Sequence, residues 1–363
     1  MTSAFISREE TVAAELCSLF RRFGYLPYKM QKFEDYDLYV RFKDYLLSDS
    51  VITFTDEGKL LALKPDVTLS LIRSVKEEKG GIHKLFYRES VYRRPRPGEP
   101  IRELLQTGLE CVGDLDAFAL SEVLLLAGTA LVRISEEAVL VLSDLDILGA
   151  VLDRVTPDAA LKKTLSRLAG EKNLPGVRAL GKEYGLPAEE LEDFCVLLAI
   201  SGSPEEVLPR LRPIAEKAGA SGAFAALSGI LSTLKGTPVE KVLRLDFSAV
   251  SNGKYYNGLA FRGFVKNLPE QVLSGGQYDN LLTRMGKSSR GVGFAVYLDQ
   301  IPLLDSADET DADVLLVYGK TDPETVGKKA NALRAGGKTV LALPEKPKGG
   351  TFHEVITLTE DAK

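Results

Sequence analysis

Apolar residues recur along this chain with two periods, and the switches between them outline its organisation. Val12, Leu16, Leu19 and Phe20 keep the helical spacing behind Ser7 and Glu10, which form a capping-box pattern, and Gly24 ends that helix. The aromatic-rich stretch from Tyr25 to Tyr45 reads as extended or mixed. Val51–Thr55 and Lys59–Leu63 flank Asp56-Glu57-Gly58 and predict a hairpin. Pro65 ends its second strand. Asp66 or Thr68 is placed either to cap a following helix through Leu71 and Ile72 or to face a pocket at the junction.

From Lys84 to Gly113 the period is two. Leu85, Phe86, Tyr87, Val91 and Tyr92 make a first strand. Arg93, Arg94, Arg96 and Arg102 crowd a loop stiffened by Pro95, Pro97 and Pro100. In the second strand Gln106, Gly108, Glu110 and Val112 share one parity, and Leu105, Thr107, Leu109 and Cys111 the other. A face carrying Gln106 and Glu110 can floor a polar pocket. The arginines beside it suit an anionic ligand or a solvated basic hairpin tip.

Further on, Ala117 to Val132 is apolar all round and predicts a buried helix. Val139–Leu142 predicts a strand ending at Asp144 and Asp146, two acids that cap the helix Ile147–Val155 or hold a metal with phosphates. From Pro157 to about Pro238, Leu, Ala, Lys and Glu dominate between Gly/Pro breaks, which predicts an insertion of several short helices without a repeat. Strands return at Val242–Phe247 and Leu259–Phe264; Ser274–Asn280 opens a helix, and Arg290–Gln300 is a glycine-entered strand running into another. Beyond the small, acidic linker around Ser306–Asp311, Val314–Tyr318, Glu324–Ala335, Thr339–Ala342 and Val355–Leu358 predict a βαββ module, short for an independent domain. The expected boundaries are 1–302, a linker 303–312, and 313–363.

Composition narrows the function. A net charge of -5 argues against a general nucleic-acid binder. Cys17, Cys111 and Cys195 are too dispersed for a disulfide framework or zinc site, which suggests reduced thiols in a cytoplasmic setting. The N-terminus is too polar for a signal peptide, and no uninterrupted apolar run suggests a membrane span. Only His83 and His353 occur, so a histidine-based triad or metal site is not expected. Gly286-Lys287-Ser288 lacks the phosphate-loop glycine at Leu281, and Gly291-x-Gly293 lacks the third dinucleotide-motif glycine at Val296.

Four blocks, in order, resemble the histidyl-tRNA synthetases and their paralogues over roughly residues 7 to 302. Leu63-Lys64-Pro65-Asp66-Val67-Thr68 looks like that family's "L-R-P-E/D-x-T" block. Val91-Tyr92-Arg93 through Gln106 and Glu110 is similar to class II motif 2. Tyr255-Tyr256 with Gly275-Gly276-Gln277-Tyr278-Asp279 resembles the histidine-recognition blocks, and Gly291-x-Gly293-Phe294-Ala295 resembles motif 3. The resemblance implies an α+β class II aminoacyl-tRNA synthetase-like core: an antiparallel six-stranded sheet flanked by helices, with a helical insertion and a small C-terminal α/β module. It also implies a histidine site in which Asp66 and Thr68 meet the α-amino group and Arg93 the carboxylate. Gln106, with Glu110 behind it, would meet the amino end or line the floor. Tyr255, Tyr256 and Tyr278 belong to the imidazole-recognising blocks, with Tyr256 and Tyr278 addressing the ring.

The departures bear on activity. Pro95 stands where the family has an adenine-holding glutamate, Ser251 where it has a catalytic arginine, and Gln300 where the motif 3 arginine clamps the γ-phosphate. Loss of one such arginine costs about 10³- to 10⁵-fold. Asn252-Gly253-Lys254 replaces the usual Gly-Leu-Asp, and Gln31 the motif 1 proline that bears on dimer geometry. A synthetase-like chain without adenylation resembles the regulatory-subunit family of ATP phosphoribosyltransferase. That resemblance implies no catalytic residue, metal or cofactor, a short catalytic subunit as partner, a homodimer within a hetero-octamer, and histidine as allosteric ligand of histidine biosynthesis. Binding to nucleic acid or membrane is not implied. A shortened histidyl-tRNA synthetase and a free-standing amino-acid-binding paralogue are the alternatives.

Overall fold

The computed structural model describes residues 7–46, 51–78, 80–94, 98–248, 255–304 and 312–358. Pro95, Arg96 and Pro97, the Ser251-Asn252-Gly253-Lys254 segment, the Ser306–Asp311 stretch and the polar N-terminus before Ser7 lie outside them.

The first helix, α1 (Arg8–Arg22), buries Val12, Ala13, Leu16, Leu19 and Phe20 as one stripe, and Glu10 N–H donates to Ser7 Oγ at 3.4 Å. The aromatic-rich stretch contains β1 (Leu26–Pro27), β2 (Phe33–Asp35), α2 (Tyr36–Arg41) and one 3₁₀ turn (Lys43–Tyr45). The hairpin is β3 (Thr53–Asp56) and β4 (Lys59–Leu63), with Glu57 and Gly58 both at positive φ in its turn. Helix α3 (Thr68–Ser74) follows. The long strands β5 (Ile82–Arg93) and β6 (Arg102–Gly113) pair antiparallel along their whole length, as the alternation predicted.

Helix α4 (Ala117–Ile134) is long and apolar enough to cross a membrane by composition, but most of it is buried against the sheet and its neighbouring helices. Strand β7 (Ala138–Asp144) leads into α5 (Leu145–Val155), and Asp144 Oδ1 accepts from the N–H groups of Asp146 and Ile147, both at 3.0 Å. Of the two readings of that acid pair, the structure takes the cap. The insertion is helical as expected: α6 (Ala159–Gly170), α7 (Leu174–Tyr184), α8 (Ala188–Ala199), the two-residue β8 (Ser201–Gly202), α9 (Pro204–Lys217), α10 (Ser221–Thr233) and α11 (Pro238–Val242). Then come β9 (Leu243–Asp246), β10 (Asn257–Val265), β11 (Leu273–Gln277), α12 (Asp279–Arg284) and β12 (Arg290–Tyr297), followed by a 3₁₀ segment (Leu298–Leu304).

Two expectations fail here. The helix expected to open at Ser274–Asn280 begins only at Asp279, as α12, and Ser274–Gln277 before it is a strand: Gly275 and Gly276 serve close strand packing, and a Cβ on Gly275 would lie 2.4 Å from the Gly293 carbonyl oxygen. The chain after Tyr297 turns into 3₁₀ rather than a second strand.

The main sheet runs β1-β5-β6-β12-β11-β10-β7-β9-β8. Its six central strands, β5 through β7 in that order, are antiparallel throughout, as expected; β1 and β9 add parallel to the two edges, and β8 pairs antiparallel with β9. The cross-strand registers put Phe86, Leu109, Phe294, Gly275 and Phe261 on one face, where α1 adds Phe20 with ring centroids 6.1 Å from Phe86 and 5.8 Å from Phe294. The other face carries Tyr87, Gln106, Gly108, Glu110, Gly293, Ala295, Tyr297, Ser274 and Gly276. The apolar face makes the core, and the small-residue face makes a cleft.

Contacts divide the chain into two units, one spanning Val12–Ile301 and one taking in the chain from Pro302 onward. The second unit is a parallel three-stranded sheet, β14 (Val340–Leu343), β13 (Ala312–Val317) and β15 (Phe352–Thr357) in that order, with α13 (Pro323–Ala335) capped by Asp322. This is the βαββ module read from the sequence.

Candidate functional site

The cleft is narrow, and its floor is kept low by residues without bulk. A Cβ on Gly293 would lie 1.9 Å from Glu110 Oε2, and one on Gly276 would lie 2.7 Å from Tyr256 Cδ1. Removing those carbons lets the Glu110 carboxyl and the Tyr256 ring lie directly on the sheet. The wall comes from the β4–α3 junction. Lys64 is 1% exposed and ion-pairs with Glu89 of β5, which also accepts the Met30 N–H at 3.0 Å, while the Lys64 carbonyl accepts from Tyr92 N–H at 2.9 Å. The junction is thereby clamped to the sheet edge, and Asp66, Val67 and Thr68 are aimed over the floor.

Seven of the eight residues singled out from the sequence line this one cleft: Asp66, Thr68, Gln106, Glu110, Tyr255, Tyr256 and Tyr278. Arg93 does not line it. It shares the cleft face of β5 at the rim, and its guanidinium carbon sits 5.7 Å from the centroid of the Tyr297 ring, a cation–π distance.

Glu110 is the centre of one end. Thr68 Oγ1 donates to its Oε1 at 2.7 Å and the Tyr278 hydroxyl to its Oε2 at 2.6 Å. Burial pushes its pKa up to about 8, against the pull of those two donors, and the nearby Asp66 adds to the rise. Asp66 is also raised by burial, while the Leu69 and Thr68 N–H groups and the charge of Arg93 oppose that rise. Its Oδ1 accepts from Leu69 N–H at 3.0 Å, so Asp66 caps α3 and faces the cleft at once, whereas the Thr68 hydroxyl is committed to Glu110. Tyr255 stacks edge-on against Tyr256 at 4.7 Å and lies 6.2 Å from Tyr278; burial raises the phenol pKa of all three.

The other end has a different character. Gln106 is 4% exposed, and its Nε2 has no hydrogen-bond partner among the described residues. A buried amide donor left unmatched costs about 1–3 kcal/mol, so it marks a place where an acceptor belongs. Beside it the Tyr297 hydroxyl and Ser274 Oγ are 2.6 Å apart. Gln300, further along the same segment, donates from its Nε2 to Glu270 Oε2 at 3.2 Å.

Three cleft residues escaped the sequence: Tyr87, Ser274 and Tyr297. Register finds them: Tyr87 lies opposite Gly108 on the next strand, and Tyr297 opposite Gln106 across strands distant in sequence. Several motif residues prove structural. Asp279 accepts Gly291 N–H at 2.9 Å and pairs with Arg290, and Gln277 Oε1 accepts Leu259 N–H at 2.9 Å beside the bulge in β10. No group of three or more His, Cys, Asp or Glu placed to hold a metal occurs among the described residues.

Chemically, the cleft offers two buried carboxyls, an orphaned amide donor, an aromatic wall and a cation at the rim. Among the described residues no lysine or arginine lines it, so a ligand carrying its own positive charge meets the acids' demand.

Comparison with known proteins agrees with this architecture. The family model described as Histidyl-tRNA synthetase matches residues 2–301. The chain is 30% identical to an ATP phosphoribosyltransferase regulatory subunit of Moorella thermoacetica over 78% of this chain and 75% of the relative. It is 27% identical to a histidine–tRNA ligase of Methanocaldococcus jannaschii over 92% of this chain and 82% of the relative. Among solved structures, an ATP phosphoribosyltransferase regulatory subunit/histidyl-tRNA synthetase from Bacillus halodurans superposes with a TM-score of 0.74 at 24% identity, covering 96% of this chain and 93% of that one. An ATP phosphoribosyl transferase (HisG:HisZ) complex from Thermotoga maritima gives 0.61 at 18% identity, covering 80% and 97%. At those identities the two structures establish the fold, a class II synthetase core.

Proposed function

The chain belongs to the histidyl-tRNA synthetase family and, within it, to the ATP phosphoribosyltransferase regulatory subunits, and on that premise we propose that it binds histidine in the cleft and passes the signal to a catalytic partner. Its place is in histidine biosynthesis, as a regulatory component rather than the catalytic one. The partner is a short phosphoribosyltransferase subunit that needs this chain for activity and receives feedback inhibition through it. The assembly is a homodimer within a hetero-octamer.

The observation that carries the ligand assignment is the unmatched Gln106 donor in a cleft with two buried acids at hand. A free amino acid satisfies both demands in one molecule: its carboxylate accepts from Gln106 and, at the rim, Arg93, and its ammonium faces Asp66. Because Tyr278 is already bonded to Glu110, the imidazole end of the ligand and Glu110 fall together. The resemblance set Gln106, with Glu110 behind it, at the amino end or on the floor; this reading puts Gln106 at the carboxylate and Glu110 beside the imidazole. An imidazole has one nitrogen to donate and one to accept, which suits a carboxyl that itself holds a proton up to about pH 8.

The lack of adenylation is supported by Gln300, whose amide is engaged by Glu270 where the family places a guanidinium, and by Ser251 and Pro95 in the sequence. Without charge-stabilising arginines, attack of the ligand carboxylate on a nucleotide phosphate has no electrostatic support. Regulation then proceeds by differential affinity: histidine stabilises one state of the assembly over another, with no bond made or broken.

Calorimetric titration of the chain with L-histidine tests this reading. Asp66→Ala is expected to weaken binding at least about 100-fold, since the ammonium loses its buried partner, and Tyr256→Ala to weaken it about tenfold. Histidine-dependent ATP–pyrophosphate exchange should be absent. Exchange, or unaltered binding in Asp66→Ala, contradicts the proposal.

A further inference from the structure

At the rim end, three features converge on one side chain. Tyr297 closes β12 directly opposite Gln106 in the register, so its ring stands next to the unmatched amide. The Tyr297 hydroxyl is held by Ser274 Oγ at 2.6 Å. The Arg93 guanidinium lies against the Tyr297 ring, 5.7 Å from its centroid, and Arg93 is only 9% exposed. The phenol is therefore anchored at its tip by β11 and covered by a cation from β5, three strands meeting over one ring. A ring fixed in this manner acts as an end wall.

We propose that Tyr297 is the specificity-determining residue of the cleft: it closes the space behind the ligand's carboxylate and holds Arg93 in place to meet it, so that the site accepts a free α-carboxylate and rejects anything joined to it. The inference rests on the amino-acid-binding reading and sharpens it. A carboxylate ends where the wall begins, accepting from Gln106 on one side and from Arg93 on the other. An ester or amide loses the negative charge and carries extra atoms into the Tyr297 ring. The consequence is discrimination between free histidine and histidine carrying a substituent on its carboxyl.

The experiment compares L-histidine with L-histidine methyl ester by calorimetry on the whole chain, wild type against Tyr297→Ala and Tyr297→Phe. The wild type is expected to favour histidine over the ester by about 100-fold, the summed effect of a lost charge-assisted bond and a steric clash. Tyr297→Ala is expected to cut that ratio at least tenfold, chiefly by admitting the ester. Tyr297→Phe keeps the ring over Arg93 and is expected to keep the ratio within about threefold of wild type, a rescue that a merely structural role for the hydroxyl would not give. Should Tyr297→Ala fail to fold, Tyr297→Leu, which keeps apolar bulk but removes the ring that closes the wall and carries Arg93, is expected to lower the ratio by a few-fold. Histidine binding with an unchanged ratio in Tyr297→Ala, or in Tyr297→Leu where that is the variant available, overturns this inference alone. Absence of histidine binding in the wild type overturns the amino-acid reading, and this inference with it.

Discussion

The two ends of the cleft were built to opposite standards. At the Glu110 end each carboxyl oxygen has a donor, Thr68 on one and Tyr278 on the other, and Asp66 is braced by the Leu69 N–H. At the Gln106 end a buried donor has no partner among the described residues, and the Arg93 guanidinium at the rim rests on an aromatic ring. The first end is complete without a ligand and is preorganised to read a side chain. The second leaves a buried amide donor that an acceptor would satisfy, the place the proposal gives to a carboxylate. The contrast teaches that affinity and stability are separated along the cleft: changes at the closed end cost both, whereas changes at the open end trade one against the other.

The largest effect expected from breaking that contrast is at Glu110. Glu110→Ala strands the Thr68 and Tyr278 hydroxyls in a buried place, which should destabilise the fold by about 2–5 kcal/mol in urea unfolding, read as a shift of midpoint at constant slope. Histidine binding should disappear from calorimetry in the same variant.

Next is the dependence on pH. The Glu110 pKa is raised from 4.5 to about 8, so the folded state prefers the protonated carboxyl. The stability that this group contributes is full below 4.5 and is lost as pH rises toward about 8. For binding, an imidazole of pKa about 6.5 and this carboxyl share one proton in the complex, whichever of the two holds it. Below about pH 6.5 the free pair holds two protons and must release one; above about 8 it holds none and must take one up. Affinity should therefore peak between those values and fall by about tenfold per pH unit at most on either side. Glu110→Gln removes the titration and, with it, the limb near pH 8; an unchanged limb in that variant assigns the proton elsewhere.

The smallest effect has two signs. Gln106→Leu replaces the orphaned amide by an apolar side chain of similar size. It should stabilise the ligand-free protein by about 1 kcal/mol while weakening histidine about tenfold. Loss of stability would show that the amide already has a partner, and the two ends would then be alike.

Much of this was readable in the chain. The period-2 alternation around Gln106 and Glu110 gave the long central strands, because one face had to be polar and the other apolar. The blocks at Asp66, Tyr255-Tyr256 and Tyr278 were recognised in order, and the fold brings them to one place although they are spread over about 200 residues. What stayed hidden depends on register and on the third dimension. Gly275 and Gly276 looked like the entry to a helix because glycine's signal is local, while their use, close packing of three strands, is not. Tyr297 looked like an ordinary strand residue until pairing set it opposite Gln106. Arg93, assigned to the ligand by resemblance, stands at the rim rather than within the lining, against a ring whose place depends on strand register. The Tyr278–Glu110 bond was hidden too, since no spacing in the sequence links residues 168 positions apart.

The central claim is that histidine bound in this cleft regulates a catalytic partner. It is tested most directly by assaying a short phosphoribosyltransferase subunit in the presence of this chain while histidine is titrated, with wild type and Asp66→Ala compared at equal, saturating amounts. The account predicts that both forms activate the partner, that histidine inhibits the wild-type assembly, and that Asp66→Ala shifts the inhibition to at least about 100-fold higher histidine. Inhibition at the same histidine concentration in both assemblies would contradict it, and would place the feedback site outside this cleft.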